Sequence, residues 1–199
     1  MKTMALSLTT ILLALPLSGI AADIESKPAT SDSLHDAGDV DTRALIREVG
    51  DRMHKHFVSD PRVPQTLSLG ALNRQDVTYG QLLALLQVHG FAVVQDDGIM
   101  EVVPDAGIRF AGLPVVPYDN IKALDNEWVT AIIPVKGMSA VQLVTILRPL
   151  VPPVGQINAL VERNAMIVCD RSANVRRLVE LIKGLEALPA VTPEARHEP

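Results

Sequence analysis

The residues able to do chemistry are few and far apart. His54 and His56, with Asp51 and Asp60 close by in sequence, are the types that hold a divalent metal through imidazole nitrogen and carboxylate oxygen. Such a site needs several ligands meeting at one point. His54 falls on the last turn of an expected helix and His56 lies beyond it, so the two need not converge, and solvated histidines are the favoured reading. His89, just before Gly90, stands where an imidazole complements the dipole of a helix C-terminus. Cys169 is the only cysteine, so no intrachain disulfide can form. Its place at the end of the apolar run Ala165 to Cys169 reads as a buried thiol. No G-x-S-x-G, H-E-x-x-H, G-x-G-x-x-G or Walker loop occurs. An enzyme is therefore not expected, and neither is a cofactor, a metal or a small-molecule ligand.

Charge narrows the partners. The 199 residues carry a formal charge of -5 with a pI of about 5.5, which supplies no basic face for a phosphate backbone, so nucleic acid is not an expected partner. Arg148, Arg163, Arg171, Arg176 and Arg177 cluster in the last third of the chain. A solvated face with scattered ion pairs is the favoured account of them over a specific subunit contact.

Residues 1–22 have the layout of a secretory signal peptide: Lys2, an apolar run from Ala5 to Leu17, then Ser18-Gly19-Ile20-Ala21-Ala22. The run is short for a bilayer span of roughly twenty apolar residues, so cleavage near Ala21 or Ala22 is expected, with export to the periplasm and a possible tie to the outer membrane through a channel subunit. Residues 23–41 hold Asp23, Glu25, Asp32, Asp36, Asp39 and Asp41 without apolar period, and read as a flexible acidic leader.

The elements that would position any site begin after that leader. Leu45, Ile46, Val49 and Met53 recur at helical spacing, with Asp41 as N-cap and an end near His54. Phe57-Val58 and Gln65 to Leu69 read as short strands around the turn Asp60-Pro61-Arg62-Val63-Pro64. Thr78 and Gln81 form a capping box, Leu82, Leu85 and Leu86 an apolar stripe, and Gly90 a left-handed end. Phe91 to Gln95 and Ile99 to Val103 flank Asp96-Asp97-Gly98, a hairpin signal. One small sheet with helices against it should result over residues 42–104.

Residues 105–126, with Pro104 before them and Gly107, Gly112, Pro114 and Pro117 within, read as an interdomain linker that offers an edge strand at Leu113 to Val116. A second unit, 127–188, starts with a strand from Trp128 to Ile133. Ser139 and Gln142 make a second capping box, Pro149 should kink or stop the helix close to it, and Pro152-Pro153 forces an extended exit. Gln156 to Val161 and Ala165 to Cys169 form a hairpin, and Ser172 caps a last helix carrying Val175, Leu178, Val179, Ile182 and Leu185. Residues 189–199 read as a flexible tail. The fold class is α+β, two small mixed αβ domains in tandem.

Several of these segments resemble one family. Val49-Gly50-Asp51, Phe57 to Val63 and Leu85-Leu86-Gln87-Val88-His89-Gly90-Phe91-Ala92-Val93-Val94 are similar to the outermost N-terminal domain of the type II secretion secretins, the outer-membrane channel subunits. Ile132 to Ala140, Leu147-Arg148-Pro149-Leu150-Val151-Pro152-Pro153 and Asn164 to Arg171 resemble the secretin N-domain repeat that follows it. The resemblance implies a first domain like the signalling domain of TonB-dependent receptors and a second, KH-like domain of strand, helix, hairpin and helix. The second lacks the G-x-x-G loop that clamps nucleic acid.

The resemblance further implies domains that stack as periplasmic rings and meet the clamp protein of the inner-membrane platform, a full-length secretin or exported cargo. It leaves a homo-oligomeric ring open. The strand that opens the first family domain is missing from the leader, so an unpaired edge there would be open to a partner strand. The sequence stops at Pro199, too soon to close a barrel, so a channel is not expected of it alone. The contact candidates are Arg62, Val63, Gln65 and Leu67 in the first unit and Arg148 and Arg163 in the second. A pilus-assembly or receptor-signalling module is the alternative, and an exported hydrolase the third reading.

Overall fold

The first helix, α1 (Thr42–Met53), starts where Asp41 accepts a hydrogen bond from the Ala44 amide at 2.6 Å. It buries Leu45, Ile46 and Val49, and ends at His54 in a left-handed conformation. The computed structural model describes residues 38–189; the expected signal peptide and nearly all of the acidic leader and tail lie outside that range.

Before α1 runs a three-residue strand, β1 (Asp39–Asp41), where a leader without a strand was expected. After it come β2 (His56–Ser59) and β3 (Thr66–Ser68). β1 pairs antiparallel with β3. The strand forms because Val40 packs on the adjacent core beside an exposed Asp41, an alternation too short to stand out in sequence.

The capping box of Thr78 and Gln81 opens α2 (Tyr79–Val88), with both reciprocal hydrogen bonds formed. Gly90 follows with φ of 76°. The hairpin of β4 (Phe91–Asp96) and β5 (Ile99–Pro104) turns through Asp97 and Gly98, both at positive φ, as a two-residue turn requires. The order β2-β5-β4, with β2 parallel to β5, makes a three-stranded sheet separate from β1-β3. One sheet was expected. Two form because the turn through Pro61 and Pro64 turns the chain away from β2, and β3 finds β1 instead. Leu45, Val49, Leu82, Leu86, Met100 and Val102 make the core between this sheet and the helices.

The stretch 105–126 is built of a 3-10 helix (Asp105–Phe110) with Ile108 buried, then β6 (Val115–Pro117). β6 runs parallel to β7 (Trp128–Pro134). Next come α3 (Ala140–Leu147), a 3-10 turn at Arg148–Leu150 containing Pro149, the hairpin β8 (Gln156–Leu160) and β9 (Ala165–Arg171), and α4 (Ser172–Glu186). The sheet order is β6-β7-β9-β8. Val129, Ala131, Ile133, Leu143, Met166, Val168, Leu178 and Ile182 fill the core under α3 and α4. The fold is α+β, with strand, helix, hairpin and helix in that order in the second half.

Two expected caps are replaced. Ser139 makes no side-chain cap; the Ala140 amide donates to Asn164 Oδ1 at 2.8 Å, from the hairpin turn. Ser172 lies inside α4, with Arg171 at the N-cap, and its hydroxyl donates to the carbonyls of Leu124 and Ala123. Both serines lose the role because a distant segment reaches the same groups first.

Candidate interaction surfaces

The four-stranded sheet has two unlike faces. One lies wholly under α3 and α4. On the other, Trp128 and Cys169 are buried against Ala92 and Val94 of β4 and Ile108, which joins the two sheets through a small apolar cluster. Beyond that cover the face is bare: Val115 is 71%, Ile132 51% and Ile167 37% exposed. Register puts Ile132 directly beside Ile167 and the exposed Pro117, with Val115, opposite Thr130, diagonal to them on the same face. Strands stand about 4.8 Å apart, so Ile167, Ile132 and Pro117 lie in one row with Val115 next to it, one stripe across three strands rather than isolated surface residues. The outer edges of β6 and β8 carry no paired strand among the described residues.

The seam between the sheets is fastened by charge as well. The Arg171 guanidinium lies 5.0 Å from the Trp128 ring centre and pairs with Asp105 at 3.4 Å, both side chains largely buried. Burial pushes the Cys169 thiol above its ordinary pKa. Arg176 pairs with Asp125 and donates to the Ala123 carbonyl, holding the connector onto α4. Of the five clustered arginines, these two are internal fasteners. Arg177 reaches Asn174 Oδ1 at 3.5 Å and Arg148 the Gly155 carbonyl at 3.5 Å. Arg148 and Arg163 are both exposed, but they stand at opposite ends of α3, since Asn164 meets the Ala140 end. They form no single patch.

The candidates of the first half divide as well. Val63 and Leu67 are core side chains, so neither presents an apolar surface to a partner: the short strand turns Leu67 inward and the proline turn folds Val63 beneath it. Gln65 and Arg62 are exposed. Arg62 folds back on Asp60, donating from Nε at 2.9 Å and Nη2 at 2.8 Å. These bonds, with one from the Arg62 amide, hold the Asp60 carboxyl at a pKa of about 2. Because the folded value is depressed, the stabilisation is complete above the ordinary aspartate range and is lost as pH falls through about 2. Arg62→Ala should return Asp60 most of the way to ordinary titration, followed by the NMR carboxyl shift. An unchanged midpoint would show that the backbone amide alone sets it.

His54 ends α1 and His56 is exposed on β2. Among the described residues no three His, Cys, Asp or Glu side chains gather as metal ligands. The bare stripe was missed in the sequence, although β7 carried its signal. Trp128, Thr130 and Ile132 alternate with Val129, Ala131 and Ile133, so apolar residues occur in both phases, the mark of a strand with something to bury on each side.

Fold and surface thus define a class: tandem small αβ domains that present sheet surface. Residues 36–102 match the GspD-like N0 domain, and residues 130–190 the bacterial type II/III secretion system short domain. The chain belongs, over these two domains, to the N-terminal region of the type II secretion secretins. It is 32% identical over 152 residues to secretin XcpQ of Pseudomonas aeruginosa, covering 74% of this chain and 22% of that protein. Secretin ExeD of Aeromonas hydrophila is 30% identical over 151 residues, covering 73% and 22%. The chain therefore spans about a fifth of the length of these relatives. In solved structures, the fold matches the Klebsiella pneumoniae type II secretion outer membrane complex of PulD, PulS and the PulC HR domain, with a TM-score of 0.63, 22% identity, and coverage of 76% of this chain and 27% of that one.

Proposed function

We propose that this chain acts in the periplasm as a non-enzymatic interaction module of a type II secretion machinery, docking to the clamp protein, a secretin or exported cargo. The observation that carries the reading is the bare apolar stripe Val115, Ile132 and Ile167 on a sheet whose other face is fully covered. An exposed contiguous apolar surface on a small domain costs solubility, and its ordinary use is a protein contact. The open edges of β6 and β8 add backbone donors and acceptors around it. The Klebsiella relative supports the choice of partners, because PulD stands there with PulS and the PulC HR domain. No helix among the described residues is long and apolar enough to cross a membrane.

The test is co-purification from gently extracted envelopes of a strain with type II secretion. Ile132→Lys combined with Ile167→Thr should cut recovery of the secretin, clamp protein or cargo by about tenfold or more. Both positions are exposed, so stability should fall by only about 1 kcal/mol. Recovery of none of these partners by the unaltered protein, or equal recovery by the double variant, would overturn the reading.

A further inference from the structure

A second surface offers itself at the free edge of β4, away from the bare stripe. Asp96 faces Ile99 across the two-residue turn, which makes that pair hydrogen-bonded, and the alternation of an antiparallel ladder then turns the N–H and C=O of Val93 and Gln95 away from β5. The same alternation sends the Val102 carbonyl outward on the opposite side, where it accepts the Asp60 amide at 2.9 Å. The outward groups of Val93 and Gln95 have no partner among the described residues. They open into a cleft of about 400 Å³ between β4 and the connector, within the range of ordinary ligand pockets.

The cleft has a definite chemistry. Gly112, Leu113 and Pro114 of the connector line it together with β4, and Met100 and Trp128 supply apolar lining. Trp128 is 2% exposed, and its indole N–H has no acceptor among the described residues. The charged side chains in the lining are Asp97 and Glu127, with no lysine or arginine. A bound group must therefore offer carbonyls and amides at strand spacing, a small apolar side chain, and positive charge. The chain's own leader, with its six acids, has the wrong sign.

We infer that the β4 edge and its cleft receive an extended segment of another protein, added as a strand beside Val93 and Gln95, with an apolar side chain flanked by lysine or arginine. This rests on the interaction-module reading but uses a different surface from the stripe. Main-chain bonds to Val93 and Gln95 supply affinity, and Asp97 and Glu127 supply the preference for basic flanks.

The probe is a synthetic peptide of about eight residues, alternating threonine and valine between terminal lysines, against its counterpart with terminal glutamates. Trp128 is the sole tryptophan, so its emission reports occupation of the cleft, and amide NMR shifts at Val93 and Gln95 locate the strand. The lysine peptide should bind about tenfold or more tighter than the glutamate peptide. Asp97→Asn with Glu127→Gln should erase that preference; asparagine tolerates the positive φ of 43° at position 97.

Gln95→Pro removes an outward amide while leaving the β4–β5 ladder whole, so binding should weaken about tenfold with the thermal midpoint nearly unchanged. Absence of binding by the lysine peptide, equal binding of the two peptides, or undiminished binding by a folded Gln95→Pro would each overturn the inference. The two readings fail separately. Loss of co-purification in the Ile132→Lys variant without any peptide binding removes only the cleft, and peptide binding without co-purification removes only the proposed machinery.

Discussion

Replacing Asn164 with alanine is expected to destabilise the protein by about 4 kcal/mol and lower its thermal midpoint by roughly 10 °C. This one side chain holds the turn of the β8–β9 hairpin to the start of α3. Its Oδ1 accepts from the Ala140 amide at 2.8 Å, and its Nδ2 donates to the carbonyls of Val135 at 3.0 Å and Met138 at 2.9 Å. Its backbone has φ of 45°, a conformation asparagine tolerates and alanine resists by about 1 kcal/mol.

Each part-buried bond is worth roughly 1 kcal/mol, so the three bonds outweigh the backbone strain. Glycine separates the two terms. Asn164→Gly should relieve the strain and recover about 1 kcal/mol of the alanine loss, leaving the remainder. Urea denaturation of the three proteins decides it. An alanine variant within about 1 kcal/mol of the parent would show that water replaces the cap at no cost.

Gly50→Ala should cost about 2 kcal/mol, although helix propensity alone favours alanine by about 1. Gly50 lies in the last turns of α1, where the chain doubles back after His54 and Lys55 donates to the Gly50 carbonyl at 3.0 Å. A Cβ there would stand 2.8 Å from the Lys55 carbonyl oxygen and 2.9 Å from the Phe57 ring. The carbonyl belongs to the backbone entering β2, so relief of the clash moves the strand itself. Gly184 provides the contrast: it lies within α4 with nothing within 4 Å of a built Cβ, and Gly184→Ala should stabilise by about 0.5–1 kcal/mol. If both alanines stabilise alike, the close approach at Gly50 has no energetic weight.

Local chemistry made much of the fold legible. The Asp41 cap, the Thr78–Gln81 box, the Asp97–Gly98 turn and the stop at Pro149 each involve residues close in sequence, and each forms where the sequence placed it. The caps at Ser139 and Ser172 were misread for one reason. Asn164 lies 24 residues from Ala140, and Leu124 lies 48 residues from Ser172, and a local motif carries no record of so distant a competitor. The same applies to β1 and β3, where three-residue strands have too little alternation to announce their partner.

The surfaces were harder still to read. Arg62, Gln65, Arg148 and Arg163 are exposed, whereas Val63 and Leu67, chosen beside them, are core. Exposure within a turn or short strand depends on what folds over it, and residue type cannot supply that.

By itself, then, the sequence determined the helices, the two hairpins and their order, the α+β class and the likeness to secretin N-domains, because propensity, caps and turns act over a few residues. Only the tertiary structure decided which face of β7 meets helices, which part of its other face is sealed by β4 through Trp128 and Cys169, and which part stays bare at Val115, Ile132 and Ile167. Both faces of that strand are apolar in sequence. The choice between them depends on contacts among segments far apart in the chain, and those form only once the two sheets have packed together.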